Sequence, residues 1–103
     1  MVDPIEELLD RLATDERVRK AGFKDAFLNN VAEVYGREGP GAAKVFLANR
    51  LGRSDQLRRQ AETLLEVVLP ALEDVEQIRR KRTIGAYVIK TLNSLRLMKK
   101  EGK

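Results

Sequence analysis

From Ser54 to Arg82 the chain reads SDQLRRQAETLLEVVLPALEDVEQIRRKR. Within it Leu57, Ala61, Leu64, Val68, Ala71, Val75 and Ile78 recur at spacings that alternate four and three. That period lays an apolar line along one face of a helix, and such a line is hidden from water only by packing on other helices. Pro70 removes one backbone hydrogen bond and crowds the carbonyl of Glu66, so a kink is expected there. Because the stripe keeps phase across it, the stretch reads as one bent helix over about 55–82. Leu64, Leu65, Val67, Val68 and Leu69 are apolar on nearly all sides, which predicts the most buried turn of the chain. A helix of about 28 residues spans roughly 42 Å. A compact chain of this length has a radius of gyration of about 13 Å, or roughly 34 Å across. The overhang predicts a second copy covering the protruding stripe, hence a homodimer.

The remaining helices follow from local signals. Asp3-Pro4 supplies an N-cap and a proline at the first helical position, with Ile5, Leu8, Leu9 and Leu12 at helical spacing and Glu6 and Glu7 favourable to the dipole. Thr14-Asp15 predicts a boundary near residues 13–15, and Gly22 a helix end. Phe23, Phe27, Val31 and Val34 or Tyr35 form the next stripe, over 23–35, with Leu28 beside it. Gly36 to Gly41 (GREGPG) carries three glycines and a proline and reads as the one clear loop. A helix over 42–51 would bury Val45, Phe46, Ala48 and Leu51, with Gly52 as its stop. Ser54-Asp55 would cap the long helix. Thr83 would cap a last helix from about Ile84 to Lys100, facing Ile84, Val88, Leu92 (or Thr91), Leu95 and Met98 inward. No strand pattern persists. The expected fold is all-α: a small bundle of about five helices around the long, Pro-kinked one, forming one domain over 1–103 with 97–103 as a frayed basic tail.

Composition narrows the function classes. Hydrophobic residues are 43% and charged residues 35% of the 103, a globular balance. There is no Cys, so disulfides, thiolate metal sites and a thiol nucleophile are out. There is no His either, which removes the commonest general base and metal ligand. The carboxylate pairs Glu62/Glu66 and Glu73/Asp74 have the spacing of a solvated helix face, and a di-metal bundle site would need a His. GREGPG is followed by Ala42-Ala43-Lys44, not by the Gly-Lys-Ser/Thr of a phosphate-binding loop. The chain is expected to be no enzyme and to need no cofactor or metal. With an acidic N-terminus and no apolar run of membrane length, it is expected to be cytoplasmic and free of the membrane.

The net charge of +4 conceals a division. Residues 1–78 carry 11 Lys and Arg against 15 Asp and Glu, whereas residues 79–103 carry nine cations against Glu101 alone. Arg79, Arg80, Lys81, Arg82, Lys90, Arg96, Lys99 and Lys100 belong to that second part. Such asymmetry points to a polyanion, DNA or RNA, or to an acidic protein partner. On a helical wheel these cations make a basic zone rather than one stripe, so contact would be phosphate-directed and salt-sensitive. Tyr87, among them, could stack on a base, although half-buried packing is the plainer expectation for it.

Residues 32–51 also read as a helix-turn-helix. Ala32 and Gly36 are four apart, Val45 and Ala42 would pack the second helix on the first, and Lys44, Asn49, Arg50 and Arg53 would be presented to phosphates and base edges. The turn, Arg37 to Gly41, is longer than that motif uses, and two bundle helices joined by a Gly-rich loop explain the same residues. The functional expectation is a small nucleic-acid-binding helical protein, either a dimeric regulator or a subunit of a nucleoprotein complex. The alternative is an adaptor that assembles proteins through helical packing.

Overall fold

A computed structural model describes residues 3–52 and 55–95, with Gln56 described by its backbone alone. Every regular element among these residues is helical, as the apolar periodicity predicts. In chain order they are α1 (Pro4–Thr14), α2 (Glu16–Lys20), α3 (Asp25–Glu38), α4 (Pro40–Arg50), α5 (Asp55–Thr63), a π-helical turn (Leu64–Val68), α6 (Leu69–Glu73), α7 (Glu76–Arg80) and α8 (Arg82–Lys90). Residues 92–95 add a helical turn after Thr91. The described chain thus has eight α-helices where about five were expected. The boundary at Asp15 is the one expected near 13–15, and the added ones come from the π turn and the breaks in the long helix.

The first two helices start where carboxylates meet orphan amides. Asp3 Oδ1 accepts from the Ile5 N–H at 2.9 Å, and Asp15 Oδ1 accepts from the Val18 N–H at 3.1 Å. Asp15 is also the residue on which α1 ends, its extended backbone turning the chain into α2. The start of α3 is held from elsewhere. Gln60, fully buried, accepts the Lys24 N–H at 3.0 Å, and Asn93 Nδ2 donates to the Phe23 carbonyl at 3.0 Å and to Asp25 Oδ1 at 2.9 Å. Two polar side chains from distant parts of the chain therefore replace a local cap, satisfying groups that burial would otherwise leave unpaired.

The expected loop at 36–41 is a correction. α3 continues through Gly36, Arg37 and Glu38, and α4 begins at Pro40, so Gly39 alone separates them. Its N–H bonds to the Tyr35 carbonyl at 2.9 Å, closing α3, while its carbonyl accepts from the Ala43 N–H at 3.2 Å, opening α4. With φ 100° and ψ 178°, Gly39 occupies backbone space that side chains exclude, and Pro40 follows at a position where its missing N–H costs nothing.

The long helix over 55–82 is the second correction. The chain stays helical from Asp55 through Pro70 to Glu73, as the phase of the stripe predicts. The turn before the proline widens: the Leu69 N–H bonds to the Leu64 carbonyl, five residues back. A π turn is one way a helix absorbs a residue that can neither donate nor tolerate the carbonyl beneath it. The break falls further on, at Asp74 and Val75, where Val75 is extended (φ −102°, ψ 106°), and again at Lys81 (φ −123°, ψ 86°). A helix over 55–73 spans roughly 28 Å, inside the overall 41 × 30 × 19 Å extents. The overhang that pointed to a homodimer is therefore absent. Gyration at 12.8 Å is that of a compact chain of this length.

Burial follows most of the predicted stripes. Ala61, Leu64, Val68, Ala71 and Ile78 are fully buried, and Leu57 and Val75 pack at the edge of the same core. The turn at 64–68 has one wet side, since Glu66 is exposed and Leu65 and Val67 are only partly covered. α4 is the third correction: Ala43 and Leu47 face the core, while Val45 is 71% exposed and Ala48 is exposed. The last helix starts at Arg82, one residue before the expected Thr83 cap and without any side-chain cap. Val88, Leu92 and Leu95 are buried as expected, and Met98 lies outside the described residues.

The most extensive contact joins α3 and α8, which run antiparallel. Asp25 lies beside Asn93 at one end and the Arg37 carbonyl beside Arg82 at the other. Between them the Tyr35 ring lies on the backbone of Gly85. A Cβ there would sit 2.3 Å from the ring's Cε1, so only glycine admits this approach.

Candidate nucleic-acid interface

Of the cations that the charge division singles out, Arg79, Arg80, Lys81 and Arg82 are spread by the two late breaks around one end of the bundle. Arg79 Nε donates to the Glu73 carbonyl at the end of α6. Arg80 pairs with Glu76 at 3.2 Å, one turn back on α7. Arg82 Nη1 donates to the Arg37 carbonyl at 3.3 Å, on the last turn of α3, and its guanidinium lies over Gly39. At the C-terminus of α4, Arg58 Nε does the same for the Leu51 carbonyl at 3.0 Å. Arg79, Arg82 and Arg58 each place a positive charge where unpaired carbonyls concentrate negative potential.

Lys81 differs from its neighbours. It occupies the break between α7 and α8, is exposed, and its ammonium has no ion pair or hydrogen bond among the described residues. Lys90 is likewise exposed and unpaired at the far end of α8, about 12 Å along the axis from Arg82. All four residues of the 79–82 run remain exposed despite their internal bonds. An exposed Arg–Glu pair is worth at most about 1 kcal/mol, so it yields readily to a better anion.

The residues expected on a reading helix fare differently. Lys44 Nζ pairs with the Glu73 carboxylate at 2.7 Å, so Lys44 and Arg79 meet at one residue, the first at its carboxylate and the second at its carbonyl. Arg50 lies over the Phe46 ring, 4.4 Å from its centroid, and Phe46 in turn stacks near Phe27 at 6.5 Å. Asn49 is exposed. Arg53, Arg96, Lys99 and Lys100 lie outside the described residues, as does the tail at 97–103. A one-residue connection at Gly39 and an outward Val45 depart from a helix-turn-helix, in which a longer turn and an inward residue would set the second helix. The site thus divides: Lys44 and 79–82 converge at one end, Lys90 stands apart beside α3, and Asn49 and Arg50 belong to the other end of α4.

One cation at the corner escaped the sequence reading. Arg37 sits on the last turn of α3, paired with Glu33 at 3.0 Å, and was hidden by the glycines that suggested a loop. Tyr35 lies nearby, buried against Gly85. Burial, and then the neighbouring Glu73 charge, raise its hydroxyl above the usual value of 10.0. The folded state therefore holds that proton more firmly than the unfolded chain. The resulting stability is complete below about pH 10 and is lost as pH climbs beyond it.

Elsewhere the charges cancel locally. The groove between α2 and α5 is lined by Arg17, Lys20, Arg58 and Arg59 together with Glu16, Asp55 and Glu62. There Lys20 pairs with Glu16 at 2.7 Å and Arg17 with Glu66 at 2.8 Å. Among the described residues no three or more acids cluster as metal ligands would, and no helix is long and apolar enough to cross a membrane. No protein-family model, curated protein or solved structure matches the chain.

Proposed function

We propose that this chain is a small nucleic-acid-binding helical protein. Its contact surface runs from the 79–82 corner along α8 to Lys90, and Arg96, Lys99 and Lys100, which follow in sequence, add to the positive charge. One observation carries the reading: Arg79, Arg80, Lys81, Arg82 and Lys90 all keep their charges in water after every internal bond is made. Affinity then comes from phosphate neutralisation and counterion release, without base readout by α4.

Lys81 and Lys90 provide the clean test because neither holds the fold together. Replacing both with Ala leaves helix content unchanged and lowers affinity for DNA or RNA alike, reducing the slope of log affinity against log salt by about 1.5. Fluorescence anisotropy with labelled oligonucleotides between about 50 and 200 mM salt measures this. Absence of binding to duplex and single-stranded probes at the lowest salt defeats the reading.

A second reading, protein assembly, is supported by the outer face of α4, where the 71% exposed Val45 stands among Gly41, Ala48 and Asn49. A second copy of the chain is the occupant that makes the protein the expected homodimer. Sedimentation at micromolar concentration decides it, with Val45→Glu dissociating any dimer built on this face.

A further inference from the structure

The antiparallel pair α3 and α8 leaves a groove of about 490 Å³ on its outer side. Its lining includes the small residues Ala32, Gly36 and Ala86, with the position of a Cβ on Gly36 3.4 Å from Ala86 Cβ. Tyr87 forms one wall and is 63% exposed, although packing against the bundle was the plainer expectation for it. Asn29 on α3 offers an amide to the same space. The two cations of the groove lie at opposite ends: Arg37 opposite Thr83, and Lys90 one α8 segment away, roughly 10 Å along the axis. Tyr87 lies between them. Glu33 is the single acid, and it is already paired with Arg37.

Resting on the nucleic-acid reading above, we infer that this groove binds an unpaired nucleobase of a single strand. The base stacks on Tyr87 while Lys90 and the Arg37–Arg82 end take the flanking phosphates. A cation, an aromatic face and a second cation in line match the order of phosphate, base and phosphate along a strand. The small lining residues give the base room to lie flat. A duplex offers no free base face to a side chain on a helix surface, so the preference is for single strands.

The chain carries its own probe. It has two tyrosines and no tryptophan, and Tyr35 is buried, so a change in emission on binding reports Tyr87. The test uses oligothymidine of about 15 nucleotides, within the usual site sizes, unlabelled for tyrosine emission and dye-labelled for anisotropy. Expected for the unaltered chain are tyrosine quenching at saturation and tighter binding to the single strand than to a duplex of equal length. Tyr87→Phe keeps the affinity and loses the quenching. Tyr87→Ala weakens single-strand binding about tenfold, or about 1.4 kcal/mol, with unchanged helix content. Quenching that persists in Tyr87→Phe, an unaltered affinity in Tyr87→Ala, or a preference for duplex overturns the inference while leaving nucleic-acid binding intact. Failure of the unaltered chain to bind any probe overturns both together.

Discussion

Residues 36–41 hold three glycines and a proline yet are helical except at Gly39, whereas residues 74–82 hold neither and are broken twice. In both places local composition suggests the opposite of the outcome. The difference lies in what each segment touches. Gly36 stays helical where α8 packs against it, with Ala86 Cβ 3.4 Å from where a Cβ would stand. Residues 74–82 must instead turn the chain so that Ile78 reaches the core and α8 returns along α3. Helix continuity here is decided by where apolar side chains are buried. Propensity differences of up to about 1 kcal/mol per residue are outweighed by roughly 1.5–3 kcal/mol for each large side chain buried.

The largest effect is expected at Ile78, the one buried side chain of α7. Ile78→Ala is expected to cost about 2–5 kcal/mol in urea unfolding and to raise hydrogen exchange across 74–82 far more than across 25–38. Gly39→Ala comes next. A side chain at φ 100° and ψ 178° is strained, and its Cβ would meet the Arg82 guanidinium at 3.5 Å. A loss of about 1–3 kcal/mol is expected in the same measurement. Arg82→Ala removes the donor to the Arg37 carbonyl and should cost about 0.5–1.5 kcal/mol, with fraying of the last turn of α3 visible by NMR. Gly36→Ala has the opposite sign. A glycine inside a helix, with only an ordinary contact awaiting its Cβ, should stabilise by a few tenths to about 1 kcal/mol when replaced. Gly36 and Gly39 responding alike would show that residues 36–41 behave as a loop after all.

Some of the misread boundaries did carry a signal. In EDVEQIRRKR the acids precede and the cations follow, the arrangement that suits the two ends of a short separate helix. The unbroken apolar stripe masked it, because Ile78 is buried in phase with Ala71 although Val75 between them is extended. Val45 had no such signal. Ala43-Leu47 and Val45-Ala48 are equally acceptable inward pairs on a short helix rich in small residues, and only contact with α3 and α5 chooses between them.

The candidate interface was legible as charge and illegible as geometry. Counting cations after residue 78 locates the basic zone, since long charged side chains seldom leave water unpaired. It does not reveal that Arg79 and Arg82 bond carbonyls at the ends of α6 and α3, nor that Lys44 is drawn to Glu73. Those partners lie up to 45 residues away in sequence. Nor does it reveal Tyr87 standing in water beside a groove lined by Gly36 and Ala86.

By itself the sequence determined that the regular elements of the described chain are helical, where α1 and α2 begin, and that Ala61, Leu64, Val68 and Ala71 turn inward. Each depends on periodicity or on a cap within a few residues, so each is written locally. Tertiary structure alone decided that the helix widens into a π turn before Pro70, that it breaks at Val75, and that α3 and α8 meet close enough to shape a groove. These outcomes depend on which apolar faces compete for one core, and no stretch of chain settles that competition alone.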